Sequence, residues 1–161
     1  GKSGLVLQCL KANFTKITTP ACKPEIQRLV KTHAESPDLD PVYSRRCKAD
    51  ISKFCNKTNP ERIHFCMRIH LKKLQPKCQR LEIVQGSISA MDVNLKPAMK
   101  KACAQAIPKF CRDVTHGDAQ VVQCLQDHME EEGLGRECVA VVEQDLEASN
   151  HDWRLKFGVH H

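Results

Sequence analysis

The sequence predicts an all-α fold: tandem helical hairpin repeats stapled by disulfides, about three short helices per repeat, in an extended array. Three observations predict it. Ten cysteines stand in 161 residues, and eight of them form two sets of four with nearly the same spacing. Apolar residues between those cysteines recur at helical intervals, and no stretch sustains the period of two that a strand needs. Five Phe, one Trp and one Tyr leave too few aromatics for one large core, so small units held by covalent links are the expected solution.

The repeat is read from the cysteines. Cys47, Cys55, Cys66 and Cys78 have gaps of 7, 10 and 11 residues, and Cys103, Cys111, Cys124 and Cys138 have gaps of 7, 12 and 13. Cys9 and Cys22, with a gap of 12, match the last two cysteines of such a set. Residues 1–36 therefore read as the C-terminal half of a repeat, 37–92 and 93–152 as complete repeats, and 153–161 as the start of another. Leu155-Lys156-Phe157 opens that last one, and His160-His161 resemble a purification tag. A fixed period with partial units at the ends is what a piece of a longer array shows.

Each element then follows in order. Pro41 and Pro97 suit the first turn of a helix, where no amide hydrogen is needed. Cys47, Ile51, Phe54 and Cys55 fall on one face of that helix, as do Cys103, Ile107, Phe110 and Cys111 in the later copy. Asn59-Pro60 reads as the N-cap and first residue of a second helix, on which Ile63, Cys66, Met67, His70, Leu71 and Leu74 share a face. Pro76 is expected to break this second helix, and Gly133 with Gly135 to do so in the later copy. Leu81, Val84 and Ile88 mark a third helix; Val141, Val142 and Leu146 mark its counterpart.

Cys47 and Cys55 lie eight residues apart on one helix, about 12 Å of rise. A disulfide needs Cα atoms within about 7 Å, so these two do not bond to each other. In an antiparallel hairpin the inner cysteines meet near the turn and the outer ones at the far end. This geometry favours Cys55–Cys66 with Cys47–Cys78, and Cys111–Cys124 with Cys103–Cys138. The alternative joining first to third and second to fourth stays open. Cys9 and Cys22 either pair with each other across Thr18-Thr19-Pro20 or remain unpaired. The wide cysteine gaps lack the close pair of a structural zinc site, so no metal is expected. Disulfides imply an oxidising compartment, and the sequons at Asn13 and Asn56 agree with it. No run of about 18 apolar residues is present, so no membrane span is expected, and the opening Gly1-Lys2-Ser3-Gly4 has no apolar leader.

The motif Leu-x-Pro…Cys-x-x-[Asp/Ala]-Ile-x-Lys-Phe-Cys…Cys-[Leu/Met]…Cys runs through Cys47 to Cys55 with Cys66-Met67, Cys103 to Cys111 with Cys124-Leu125, and Cys9-Leu10. It resembles the cysteine-rich repeat of the Golgi apparatus protein 1 family, also described as a Golgi sialoglycoprotein, cysteine-rich fibroblast growth factor receptor and E-selectin ligand. The likeness covers roughly Leu5 to Phe157 and departs from the pattern at Pro108, inside an expected helix. It implies residence in the Golgi membrane on the lumenal side, with the cell surface or secretion as alternatives. It also implies a long array with a single-pass anchor, binding of fibroblast growth factors or their precursors, and display of glycans to E-selectin. It implies no catalytic residues and no cofactor.

The net charge of +6 is unevenly spread. From Arg45 to Arg80, eleven Lys/Arg face two acids, whereas from Lys96 to Glu147 six Lys/Arg face ten acids. Arg62, Arg68, Lys72, Lys73 and Lys77 are candidate contacts for heparan sulfate or another acidic partner. Asp127, Glu130, Glu131 and Glu132 are candidate contacts for a basic growth factor. Solvated helical surface and contacts between repeats are the plainer readings. Nucleic acid is not expected, because the basic stretch offers few aromatics for stacking. His64, His70 and His128 invite a catalytic reading, but a cysteine held in a disulfide is no nucleophile and no third group orients the ring. No enzyme is expected.

Overall fold

The computed structural model describes residues 2–114 and 119–150. The expected repeat opening at Leu155-Lys156-Phe157 lies outside the described residues. Those described form only helices and turns. In chain order the helices are α1 (Lys2–Ala12), α2 (Cys22–Glu35), α3 (Pro41–Phe54), α4 (Ile63–Ile69), α5 (Pro76–Ser89), α6 (Pro97–Ala102), α7 (Ala106–Phe110), α8 (Gln120–Asp127) and α9 (Arg136–Asn150). Single 3-10 turns link most of them.

Local chemistry sets the boundaries. Asp40 caps α3 by accepting the Tyr43 amide at 3.1 Å, and Pro41 occupies the first turn. Pro97 opens α6 in the same way. The second copy of this helix is split: α6 ends at Ala102 and α7 begins at Ala106. Pro108 has no amide hydrogen for the Ala104 carbonyl and its ring crowds that oxygen. Ser52, at the same repeat position, leaves α3 continuous for 14 residues.

Three expected boundaries are corrected. Asn59 makes no side-chain cap bond; Pro60–Arg62 form a 3-10 turn and the helix proper starts at Ile63. Pro76 does not end that helix, which stops at Ile69; Pro76 is instead the first residue of α5, with its ring in the position proline favours. Likewise α8 ends at Asp127, well before Gly133 and Gly135. Gly135 has φ +90°, where an L side chain is strained. It allows the chain to turn from Glu132–Leu134 into α9.

Four disulfides staple the helices. Cys47 on α3 is bonded to Cys78 on α5, and Cys55 to Cys66, with Cα atoms 4.9 and 6.0 Å apart. Cys103–Cys138 and Cys111–Cys124 span 4.7 and 6.0 Å. Cys9 and Cys22 are free. Each long third helix also packs on the second helix of the preceding unit: α5 on α1, and α9 on α4. Phe65 of α4 consequently joins the core formed by Met99, Val121, Leu125, Val141 and Val142. Ile51, Phe54, Ile107 and Phe110 are half-buried at the edges of these cores.

Candidate functional site

Repeat position organises the buried polar groups. Lys11 and Arg68 each stand two residues after a second-helix cysteine, and both are buried. Asp40 and Lys96 each precede the proline that opens a unit, and Gln85 and Asp145 each stand seven residues after the fourth cysteine. All four are buried too. At the first junction Lys11 Nζ donates to Asp40 at 3.4 Å and to Gln85 at 3.1 Å, and meets His33 Nδ1 at 3.2 Å. Gln8 adds two bonds to the Asp40 carboxylate. At the second junction the Asp40 position holds Lys96 and the Gln85 position holds Asp145, and Lys96 Nζ donates to Asp145.

A second cluster lies beside these. Tyr43 hydroxyl donates to Glu82, His64 Nδ1 lies 2.9 Å from both carboxylate oxygens, and Arg68 Nε donates at 3.2 Å. Glu82 has no exposed surface. Burial pushes its carboxyl up, but His64, Arg68 and Tyr43 together hold it below the ordinary value. Burial, aided by the Glu82 charge, raises the Tyr43 phenol well above its usual range. Burial lowers Lys11 and Lys96 against the pull of Asp40 and Asp145. It also lowers His33, with Lys11 adding to the effect. Asp40 is pushed up by burial and pulled further down by Lys11, the Tyr43 amide, His33 and Gln8. His64 Nε2 is buried with no hydrogen-bond partner among the described residues. Among these groups only Gln8 lines a cleft; the others are buried and bonded to one another across α1, α2, α3, α4 and α5, so they hold the units together.

Arg68 is therefore removed from the candidate binding surface: it is 5% exposed and committed to Glu82. The sequence carries no signal for this, since the apolar face of Ile63, Cys66, Met67, His70, Leu71 and Leu74 leaves Arg68 out. Arg62 is half-buried, 4.0 Å from Glu137 of α9, and Lys101 lies 3.6 Å from Glu61. Part of the opposite charge thus faces across the unit boundary, in surface pairs that are individually weak.

Lys72, Lys73 and Lys77 are exposed. Lys77 lines a cleft of about 560 Å³ with Arg46, Arg80, Leu81 and Val84, and α1 supplies Cys9 to it. Asp127, Glu130, Glu131 and Glu132 are exposed as well. The first three, with Glu143, Gln126 and Met129, line a second cleft of about 520 Å³. Arg46, Arg80 and Glu143 are lining residues that the sequence reading omits; the helical period alone places Glu143 among polar neighbours without saying what stands opposite. Asn56 is exposed, while Asn13 is half-buried and its Nδ2 donates to the Cys9 carbonyl at 2.9 Å.

The two equivalent histidines cap helices. His70 Nδ1 meets the Cys66 carbonyl at 2.9 Å and His128 Nδ1 meets the Cys124 carbonyl at 2.8 Å. Their rings lie on Phe54 and Phe110. Ligating atoms of Cys55, Cys66 and His70 lie within 4.8 Å of one another, as do those of Cys111, Cys124 and His128. The sulfurs are tied in disulfides, and metal binding needs thiolates. Neither group therefore offers a ligand set as it stands.

Known proteins carry the same repeat. The Golgi apparatus protein 1 of human and of mouse are each 27% identical over 159 residues, covering 93% of this chain. The Golgi apparatus protein 1 homolog of Caenorhabditis elegans is 29% identical over 152 residues, covering 84%. The chain spans only about 13% of the length of these relatives. No solved structure matches it. The relatives' shared name locates them in the Golgi apparatus, and the chain is placed there with them. No helix among the described residues is long and apolar enough to cross a membrane. The family profile matches residues 20–75 and 76–133. Its frame opens each unit just before a third helix, so the Cys47–Cys78 bridge joins one family unit to the next. The chain belongs to the cysteine rich repeat family, Cys_rich_FGFR.

Proposed function

We propose that the chain is a ligand-holding module of the Golgi lumen that binds a basic protein, a fibroblast growth factor or its precursor, through the acidic unit. The observation that carries this is the cleft where Asp127, Glu130, Glu131 and Glu143 converge. Four carboxylates with few counter-charges attract a cationic surface from a distance and orient its approach. The family designation refers to a growth factor receptor, which favours this class of partner. No nucleophile with a base and an orienting group occurs among the described residues, so binding rather than catalysis is the reading that fits. Lys77, which shares a cleft with Arg46 and Arg80, and the exposed Lys72 and Lys73 are the corresponding seat for a sulfated glycan such as heparan sulfate.

A second reading makes the chain a spacer that presents glycans, including those read by E-selectin. The exposed Asn56 sequon favours it. Capture of a fibroblast growth factor by the purified chain at low and high salt separates the two. The first reading expects salt-sensitive capture that is lost in the Glu130→Lys, Glu131→Lys, Glu132→Lys variant. Equal capture by the variant, or none by either protein, overturns it.

A further inference from the structure

We propose that the face shared by α1 and α2, bearing Val6, Cys9 and Cys22, is the seat of one more amphipathic helix of the α3 kind, bonded covalently to both cysteines. The repeat places Cys9 where Cys66 and Cys124 stand, and Cys22 where Cys78 and Cys138 stand. In both complete units those two positions are bonded to a first helical segment, continuous as α3 in one and split into α6 and α7 in the other, whose cysteines stand eight positions apart. Only Cys9 and Cys22 are free.

The apolar surface makes the same point independently. Val6 is 58% exposed, yet its counterpart Val121 is 1% exposed, in a core with Cys103, Ala106 and Cys111. The other counterpart, Ile63, is packed against the core that contains Cys47 and Cys55. Of the three large apolar side chains exposed among the described residues, Leu5 and Val6 both lie on α1, within a turn of Cys9. The face is therefore built like its two counterparts but lacks the element that covers them. Two cysteines on the occupant set its direction. The one nearer its C-terminus meets Cys9, as Cys55 meets Cys66, and the one nearer its N-terminus meets Cys22, as Cys47 meets Cys78. The occupant is a first helix from another cysteine-rich repeat. A second copy of this chain does not supply it, because the cysteines of its own first helices are already bonded.

Each bond forms by disulfide exchange. The Cys9 or Cys22 thiolate attacks the occupant's sulfur in a mixed disulfide with glutathione; the new sulfur–sulfur bond forms and glutathione leaves as a thiolate that takes up a proton.

The probe is a synthetic peptide of residues 37–58, with both cysteines capped by glutathione, added to the intact oxidised chain. Non-reducing peptide mapping is expected to join Cys9 to the peptide's second cysteine and Cys22 to its first, and to show both protected from alkylation. Val6→Asp, at an exposed position and checked for unchanged circular dichroism, is expected to lower the yield at least ten-fold. A Cys9–Cys22 bond, a dimer through Cys9, the opposite or a random pairing, or an undiminished yield with Val6→Asp overturns the proposal.

Discussion

Lys11 and Arg68 hold the same place in successive repeats, two residues after Cys9 and Cys66, and each carries a buried positive charge to a carboxylate of the following helices. Lys11 reaches Asp40 and Arg68 reaches Glu82. A charge buried in this way is tolerable only while its partner is present, so each cation ties the second helix of a unit to the elements that follow.

Arg68→Ala leaves Glu82 with His64 and Tyr43 alone. The expected cost is about 3–5 kcal/mol, the usual penalty for breaking a buried pair from one side. Lys72→Ala, on exposed surface, is expected to change stability by less than about 0.5 kcal/mol. Denaturant unfolding of the oxidised proteins compares the two.

Acid should loosen the first junction in two stages. The folded state lowers the His33 pKa from 6.5, so it resists the proton that the unfolded chain accepts. His33 thus contributes stability in full above about pH 6.5, and the contribution is lost as pH falls from there towards its lower folded value. Asp40 and Glu82 are also lowered, from 3.8 and 4.5. Their contribution is present above those values and lost as pH falls through the folded ones. Tm measured from about pH 7.5 to 3 is expected to decline in both ranges, and His33→Gln to flatten the upper one.

The two bridges of a unit differ in the loop they close. Cys47–Cys78 spans 31 residues and Cys55–Cys66 spans 11. Loop entropy assigns them about 3.7 and about 2.8 kcal/mol. Replacing both cysteines of the outer bridge by Ala should therefore lower stability more than replacing both of the inner one, by about 1 kcal/mol in equilibrium unfolding.

Gly135 and Gly133 separate backbone strain from crowding. Gly135→Ala meets no atom but forces a side chain onto φ +90°, at a cost of about 1–3 kcal/mol. Gly133→Ala meets chiefly the flexible end of Lys109, and is expected to cost less than Gly135→Ala in thermal unfolding.

Glycan occupancy should differ between the sequons. The Asn13 side-chain nitrogen is engaged with the Cys9 carbonyl, whereas Asn56 is exposed. Mass spectrometry of protein from a secreting eukaryotic host is expected to find fuller occupancy at Asn56.

By itself the sequence determined the all-α fold and its period, because cysteine spacing and helical faces are local quantities. Cys47, Ile51, Phe54 and Cys55 align through 3.6-residue geometry whatever surrounds them. Pro108 likewise marked the place where the repeat departs from its pattern. Only the tertiary structure decided which charges face inward. Arg68 and Lys72 look alike in a basic run, yet one is sealed against Glu82 and the other is in water. That outcome depends on a carboxylate 14 residues away on another helix. Burying a charge is settled by the partner that meets it across the packing, and helical periodicity carries no information about that partner.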